Sequence, residues 1–443
     1  MAPRTVPSAD RGGPQRLVRE LGATGAVLMG LGAMIGTGVF VSLGLGAGIA
    51  GPAVLLALAL AAGVALCNGL SSAQLAAANP VSGGTYEYGY RYLNSWAGFT
   101  AGWVFLIAKS ASAATAALGF SGYMLHALEQ PTAYLVPLAL AVVVVLTVIV
   151  LTGLRRSNAA NVAIVTVTLC ALAFFIFAGA PRIETNNLVP LFTVDGREVG
   201  VAALLEATAL MFVAYTGYAR IATLGEEVRN PKRTIPKAIV LAAAIVMLLY
   251  GAVALVGIGV AGSEGLRAAT DEQAAPLAVV AQRFAVPGAS AVLTIGALTA
   301  MLGVLLNLIL GLSRVVLAMA RRTDLFRVLA TVDARGTTPY WAVLAIGALV
   351  AALVAIGDVR TTWSFSAFSV LIYYALTNLA ALRMPADERL YPRLVAIVGL
   401  VACLGLAFWV DLEVWLAGLA LIALGLGWHA VARSRADAAL RPR

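Results

Sequence analysis

Gly32-Ala33-Met34-Ile35-Gly36-Thr37-Gly38-Val39-Phe40 lies inside an apolar stretch running from about residue 23 to residue 50. Three glycines fall within seven residues, and two of them flank a threonine. Each glycine costs roughly 1 kcal/mol of helix stability relative to alanine. In a bilayer, a broken helix also leaves backbone groups unpaired, which is tolerated only where the break is buried in protein or lines a cavity. A glycine break at mid-membrane depth therefore marks a place where freed N–H and C=O groups can bind something.

The surrounding chain is a membrane chain. Of its 443 residues, 61% are hydrophobic and only 12% charged, against about 25% charged in soluble domains. Apolar runs able to span ~30 Å of hydrocarbon recur from end to end. They are continuous, which excludes the alternating pattern of an outer-membrane barrel. Twelve spans are read at about 23–50, 52–78, 96–124, 132–152, 158–180, 200–224, 237–261, 287–320, 339–357, 361–382, 391–409 and 412–432. The polar, basic residues 1–22 lack the apolar core of a cleavable signal. Cys67, Cys170 and Cys403 sit in apolar segments and read as small core residues, not as a disulfide or metal framework.

The net charge of +9 could suggest a nucleic-acid partner, but its distribution argues for topology. With the N-terminus inside, 22 of the 30 basic residues fall on the cytoplasmic side. Five face the other side, namely Arg182, Arg197, Arg267, Arg283 and Arg360. This bias predicts both termini in the cytoplasm and an even number of spans in the cytoplasmic (inner) membrane.

A second interrupted segment is span 6, with Thr216-Gly217 near its middle. Spans 1 and 6 each open a set of five. Broken helices at matching positions of two halves predict an inverted repeat with a binding site at its interface. The expected division is a tail at 1–22, a first repeat at 23–180, a second at 200–382, two further helices at 391–432 and a tail at 433–443.

Residues at the two breaks are the first candidates for chemistry: Gly36, Thr37 and Gly38, with Ala214, Tyr215, Thr216 and Gly217. A half-helix starting after Gly38 offers orphan N–H groups and a positive dipole end to a carboxylate. Carbonyls ending the preceding half suit an ammonium group, so a zwitterion fits. The competing reading is close helix packing, which the Gly32/Gly36 spacing also suits. Lys109, near the middle of span 3, lies ~20 Å along the helix from either end. An intramembrane lysine is costly and points to function: it can carry a proton or hold a carboxylate. The alternative is a structural lysine bonded to broken-helix carbonyls. Ser112 in the same span joins the substrate-contact set. Arg220, ~9 Å along the helix from Glu226, forms with Glu226 and Glu227 either an inner gate or a structural pair. Glu206, toward the outer half of span 6, either faces water or partners Arg182 or Arg197. Phe212, Tyr215 and Tyr218 either occlude the site or pack. Enzyme machinery is lacking: His126 and His429 are far apart, no catalytic triad or phosphate loop is found, and the glycine run at 43–48 follows no strand. No catalytic residue, metal or cofactor is expected.

Four motifs then resemble one family. GAMIGTGVFVSLG (32–44) looks like the first-helix signature of the amino acid–polyamine–organocation (APC) superfamily permeases. NPVSGGTYEYGYRYLN (79–94), GEEVRNPKRTIPKAI (225–239) and SRVVLAMARRTDL (313–325) resemble its later motifs in the same order. The nearest branch is that of the cationic amino acid transporters and their bacterial relatives. The resemblance implies an all-α, LeuT-like fold of two inverted five-helix repeats plus helices 11 and 12, with helices 1 and 6 broken. It places the substrate carboxylate at the backbone of Gly36, Thr37 and Gly38. The amino group would meet carbonyls of Ala33, Met34 and Ile35 and of Val213, Ala214 and Tyr215, with Tyr218 on the inner side.

Departures from the family pattern carry information. The lysine that several relatives hold on helix 5 is replaced by Thr168. The lysine is instead on helix 3, where it disfavours cationic substrates by like-charge repulsion. The aromatic gate position of helix 6 is Val213, with Phe212 beside it, and Arg220 stands where small or acidic residues are common. The expected activity is secondary active transport of a neutral or acidic amino acid by alternating access. Proton symport is the leading mode and exchange the runner-up; a sensor or a channel is a remote alternative. The oligomeric state is left open, and lipid is the only macroscopic partner.

Overall fold

The computed structural model describes residues 22–80, 83–153, 158–194, 196–222, 228–332 and 338–439. The chain is a helical bundle. Its elements in order are α1 (Ala23–Met34), a π-helical turn at Gly38–Ser42, α2 (Leu43–Ala50), α3 (Val54–Ala78), α4 (Thr85–Tyr92) and α5 (Ser95–Ala127). Then follow α6 (Leu135–Leu151), α7 (Asn158–Gly179), α8 (Val201–Tyr215), α9 (Ala219–Ala222), α10 (Pro231–Gln273), α11 (Pro276–Ala281) and α12 (Ala289–Arg321). The chain ends with α13 (Tyr340–Val354), α14 (Val359–Arg383), α15 (Arg393–Ala407) and α16 (Leu412–Ala439). A two-residue antiparallel ribbon pairs Thr193 with Glu198 and Val194 with Arg197 in the loop before α8.

Among the described residues, nine helical stretches are long and apolar enough to cross a membrane. Three shorter apolar helices, α1, α13 and α15, accompany them. One of the nine, Gly38–Ala78, joins α2 to α3 through a turn at Gly51, whose φ of 60° turns the chain back. The seventh span differs from its expected bounds of 237–261. α10 begins at Pro231, a residue pre-set for a first helical turn, and runs past a kink at Gly262 (φ 73°, ψ 167°) to Gln273.

Burial separates a central layer from a lipid-facing one. The most apolar windows of α5 and α14 are 83% and 78% buried, against 28% for α6 and 22% for α16. This explains why α5 and α14 hold the polar residues: a hydroxyl or amine in a bilayer needs a protein partner. Ser112 meets Ser366 at 2.7 Å and Thr115 donates to Thr362 at 2.9 Å, stitching the two helices together. Two sequence motifs also meet. The hydroxyls of Tyr86 and Tyr90 on α4 donate to the Asp324 carboxylate just past α12, each at 2.7 Å. Of the cysteines expected in the core, Cys403 is there, Cys67 is half-buried and Cys170 is exposed on α7.

Candidate functional site

The first break falls two residues earlier than its glycines suggest. α1 ends at Met34, Ile35 is extended (φ −80°, ψ 107°), and helical backbone resumes at Thr37. The five residues from Gly38 form a π-helical turn before α2. The Ile35 N–H still bonds the Leu31 carbonyl, and the Gly36 carbonyl accepts from Val39 and Phe40 where the helix resumes. The Thr37 hydroxyl is buried and has no hydrogen-bond partner among the described residues. The second break is milder. α8 tightens into a 3₁₀ turn at Thr216–Tyr218 and continues as α9.

The two breaks press directly on each other. A Cβ on Gly38 would stand 2.4 Å from the Ala214 Cβ, and one on Gly217 would stand 2.4 Å from the Ala33 carbonyl. Gly32 and Gly36 pack too, against Asn161 of α7 and Val304 of α12. The packing and binding readings of these glycines are therefore compatible: close approach brings the freed backbone groups together.

Lys109 reaches into this crossing. Its Nζ donates to Thr216 Oγ1 at 2.8 Å, and that hydroxyl donates to the Val213 carbonyl at 2.7 Å. The lysine is buried, and it makes no ion pair among the described residues. Beside it lies a cavity of about 50 Å³. Ten residues expected from the sequence line it: Ala33, Met34, Thr37, Gly38, Lys109, Ser112, Val213, Ala214, Thr216 and Gly217. Val304, Leu308 and Trp363 complete the wall.

Five expected contacts stand behind the wall. Ile35 and Gly36 form the break itself. Phe212 and Tyr218 pack on the Tyr374 ring at 5.6 and 5.3 Å, and Tyr215 on Tyr250 at 5.4 Å. Thr168 is buried and bonds back to the Ile164 carbonyl of its own helix at 2.8 Å. Arg220 is half-buried on α9, while Glu226 and Glu227 lie outside the described residues. Glu206 pairs with Arg360 at 3.3 Å and not with Arg182 or Arg197, because α8 runs beside the start of α14.

Val304, Leu308, Trp363 and Tyr250 were not among the expected residues, and two of them make polar contacts at the crossing. The Trp363 indole donates to the Leu210 carbonyl at 3.0 Å and caps one wall of the cavity. The Tyr250 hydroxyl donates to the Met34 carbonyl at 2.8 Å. Both are aromatics with a polar handle inside an apolar span, and a buried indole N–H or phenol O–H finds a partner; that was the available signal.

Comparison with known proteins places the chain in a family. The amino acid permease family model matches residues 25–440. The chain belongs to the amino acid permease family, within the APC superfamily. An uncharacterized transporter of Mycobacterium tuberculosis is 44% identical over 420 residues, covering 95% of this chain and 92% of the relative. The branched-chain amino acid permease of Bacillus subtilis is 28% identical, covering 95% of this chain and 91% of that one. A vacuolar cationic amino acid transporter of Arabidopsis thaliana is 27% identical, over 78% of this chain and 60% of its own length. The chain is thus a multi-pass membrane permease. In this permease the crossing offers donors at Thr37 and Lys109 together with the apolar side chains of Met34, Val213, Val304 and Leu308.

Proposed function

We propose that this permease carries an amino acid across the cytoplasmic membrane by alternating access, with the substrate bound where the two interrupted helices cross. The observation carrying the proposal is the cavity bounded by both breaks and by Lys109. The buried, unpartnered Thr37 hydroxyl at the start of the resumed helix suits the substrate carboxylate. The Ala33 to Ile35 and Val213 to Tyr215 carbonyls form the acceptor side. The framework is read as twelve spans, two inverted repeats at 23–180 and 200–382, and both termini in the cytoplasm.

Substrate choice follows from charge and lining. A buried ammonium at Lys109 repels a cationic side chain, so the cationic preference in the name of the plant relative does not transfer. The apolar wall accords with the branched-chain substrates in the name of the Bacillus relative. A neutral amino acid is the leading substrate, and an acidic one is the second. Proton symport is the leading coupling mode, with Lys109 as the cation at the cavity wall.

Proteoliposomes of purified protein offered each amino acid, with and without a proton gradient, test the reading. Saturable accumulation of a neutral amino acid that rises with the gradient is expected. Uptake that needs internal substrate would replace symport with exchange. Sustained ohmic current without counterflow would overturn the transporter reading.

A further inference from the structure

The chain has two histidines, and His429 lies among apolar residues of the last helix, α16. It is 4% exposed, and neither ring nitrogen has a hydrogen-bond partner among the described residues. Its ring stacks on Phe99 at 4.5 Å and meets Trp96 edge-on at 5.0 Å, both at the start of α5. Its Nδ1 stands 3.4 Å from Oδ1 of Asp324, just past α12. That carboxylate is equally buried and already accepts from the Tyr86 and Tyr90 hydroxyls of α4. Next to the histidine, the Trp428 indole donates to the Asp324 carbonyl at 2.8 Å. Elements α4, α5, α12 and α16 thus converge on one buried carboxylate and one unsatisfied imidazole.

The carboxylate lacks a permanent counter-charge. Arg322 lies over the Tyr86 and Tyr90 rings at 5.4 and 4.3 Å, but its guanidinium pairs with Glu87 at 2.7 Å. Arg433, one turn past His429, donates to the Ser95 hydroxyl. Among the described residues, only His429 is in ion-pair range of Asp324. With a neutral ring, the carboxylate is a buried charge without compensation; with a proton on the ring, the two form a net-neutral pair. The same helices carry the cavity wall: Lys109 and Ser112 lie on α5, and Val304 and Leu308 on α12.

We propose that His429 and Asp324 form a proton-binding site on the C-terminal side of the membrane, and that the bound proton ties α16 to α4, α5 and the end of α12 and slows the motion of the two wall helices. The proton is taken from the adjoining solution by a ring nitrogen and returned to it; none crosses the membrane here. The tie is present at low pH and lost as pH rises, because the tied state holds the proton more tightly than the loosened one. Its effect on transport rests on the crossing being the substrate site, and the topology proposed above puts the site at the cytoplasmic face.

Hydrogen exchange of purified full-length protein tests the site without transport. It is followed at about pH 5 and about pH 8, on either side of the range in which an ordinary imidazole titrates, and corrected for the intrinsic pH dependence of exchange. Residues 85–92 and 424–434 are expected to exchange roughly tenfold more slowly at the lower pH, the equivalent of one charge-assisted bond, while residues 135–151 of α6 are unchanged. His429→Gln should abolish the difference, and His126→Gln should keep it. In counterflow at equal pH on both sides, the maximal rate of unaltered protein relative to His429→Gln should fall about three- to tenfold from the higher pH to the lower, with KM the same in both proteins. Equal protection at the two pH values in unaltered protein, a reading that needs no variant to fold, overturns the proposal. So does a counterflow pH profile that His429→Gln leaves unchanged. If no amino acid is carried, the transport reading fails, and the exchange measurements still decide whether the proton site exists.

Discussion

Replacing Lys109 with methionine separates its role in binding from any role in folding. In the structure the ammonium has one side-chain partner, Thr216 Oγ1 at 2.8 Å, and lies at a cavity wall. Methionine keeps most of the chain length and removes the charge. Thr216 still donates to Val213 after the change, so no buried hydroxyl proton is stranded. Folding therefore loses a single charge-assisted bond while shedding the cost of a buried charge, and swaps of this kind are often neutral or stabilising. Binding is different. A hydrogen bond to a charged group contributes about 1.5–3 kcal/mol, and each 1.4 kcal/mol is about tenfold in affinity. The expected outcome for Lys109→Met is a melting temperature equal to or above that of the unaltered protein, with substrate affinity lowered roughly 10- to 100-fold. Uptake should also lose its dependence on the proton gradient. The assay is ligand-induced thermal shift paired with proteoliposome uptake at acidic and neutral pH. Unchanged affinity and an unchanged pH profile for every substrate would refute the role, leaving Lys109 as a purely structural tie to the 3₁₀ turn.

Other consequences concern the crossing and its rim. Gly38→Val places a Cβ within 2.8 Å of the Ala214 Cα; the breaks are pushed apart, and uptake should vanish while gel filtration still shows folded protein. Thr37→Val deletes the unpartnered hydroxyl without changing shape, so KM should rise about three- to tenfold if that hydroxyl meets the substrate, with stability unchanged or raised. Trp363→Phe removes the bond to Leu210; counterflow measurements should show a raised KM, and an unchanged KM would leave Trp363 as packing only. Arg360→Gln breaks the pairs with Glu206 and Asp411, in which Arg360 is 48% exposed. Exposed pairs contribute about 0–1 kcal/mol, so the melting temperature should shift little.

The legible part of the site was its backbone. Glycine spacing marked both interruptions, because glycine penalises a helix wherever it occurs and the penalty needs no knowledge of neighbours. Its limit was register. Ile35, not a glycine, takes the extended conformation, since the close approach of Gly38 to Ala214 demands that the helix has already resumed there. The expected pairing of Glu206 with Arg182 or Arg197 failed for a similar reason: charge in a loop says nothing about which helix end passes beside it, and Arg360 does.

From its sequence alone the chain declares a multi-span helical membrane protein, the two interrupted segments and an intramembrane lysine. Each follows from a local cost: apolar length, helix propensity, or the desolvation of a charge. The tertiary structure decided which groups those interruptions meet. Lys109 finds Thr216 across more than a hundred residues, Tyr250 fills the gap between Met34 and Ala214, and Trp363 closes the cavity. Such partners depend on crossing distances of a few ångströms between helices distant in sequence, and no periodicity within one helix encodes them.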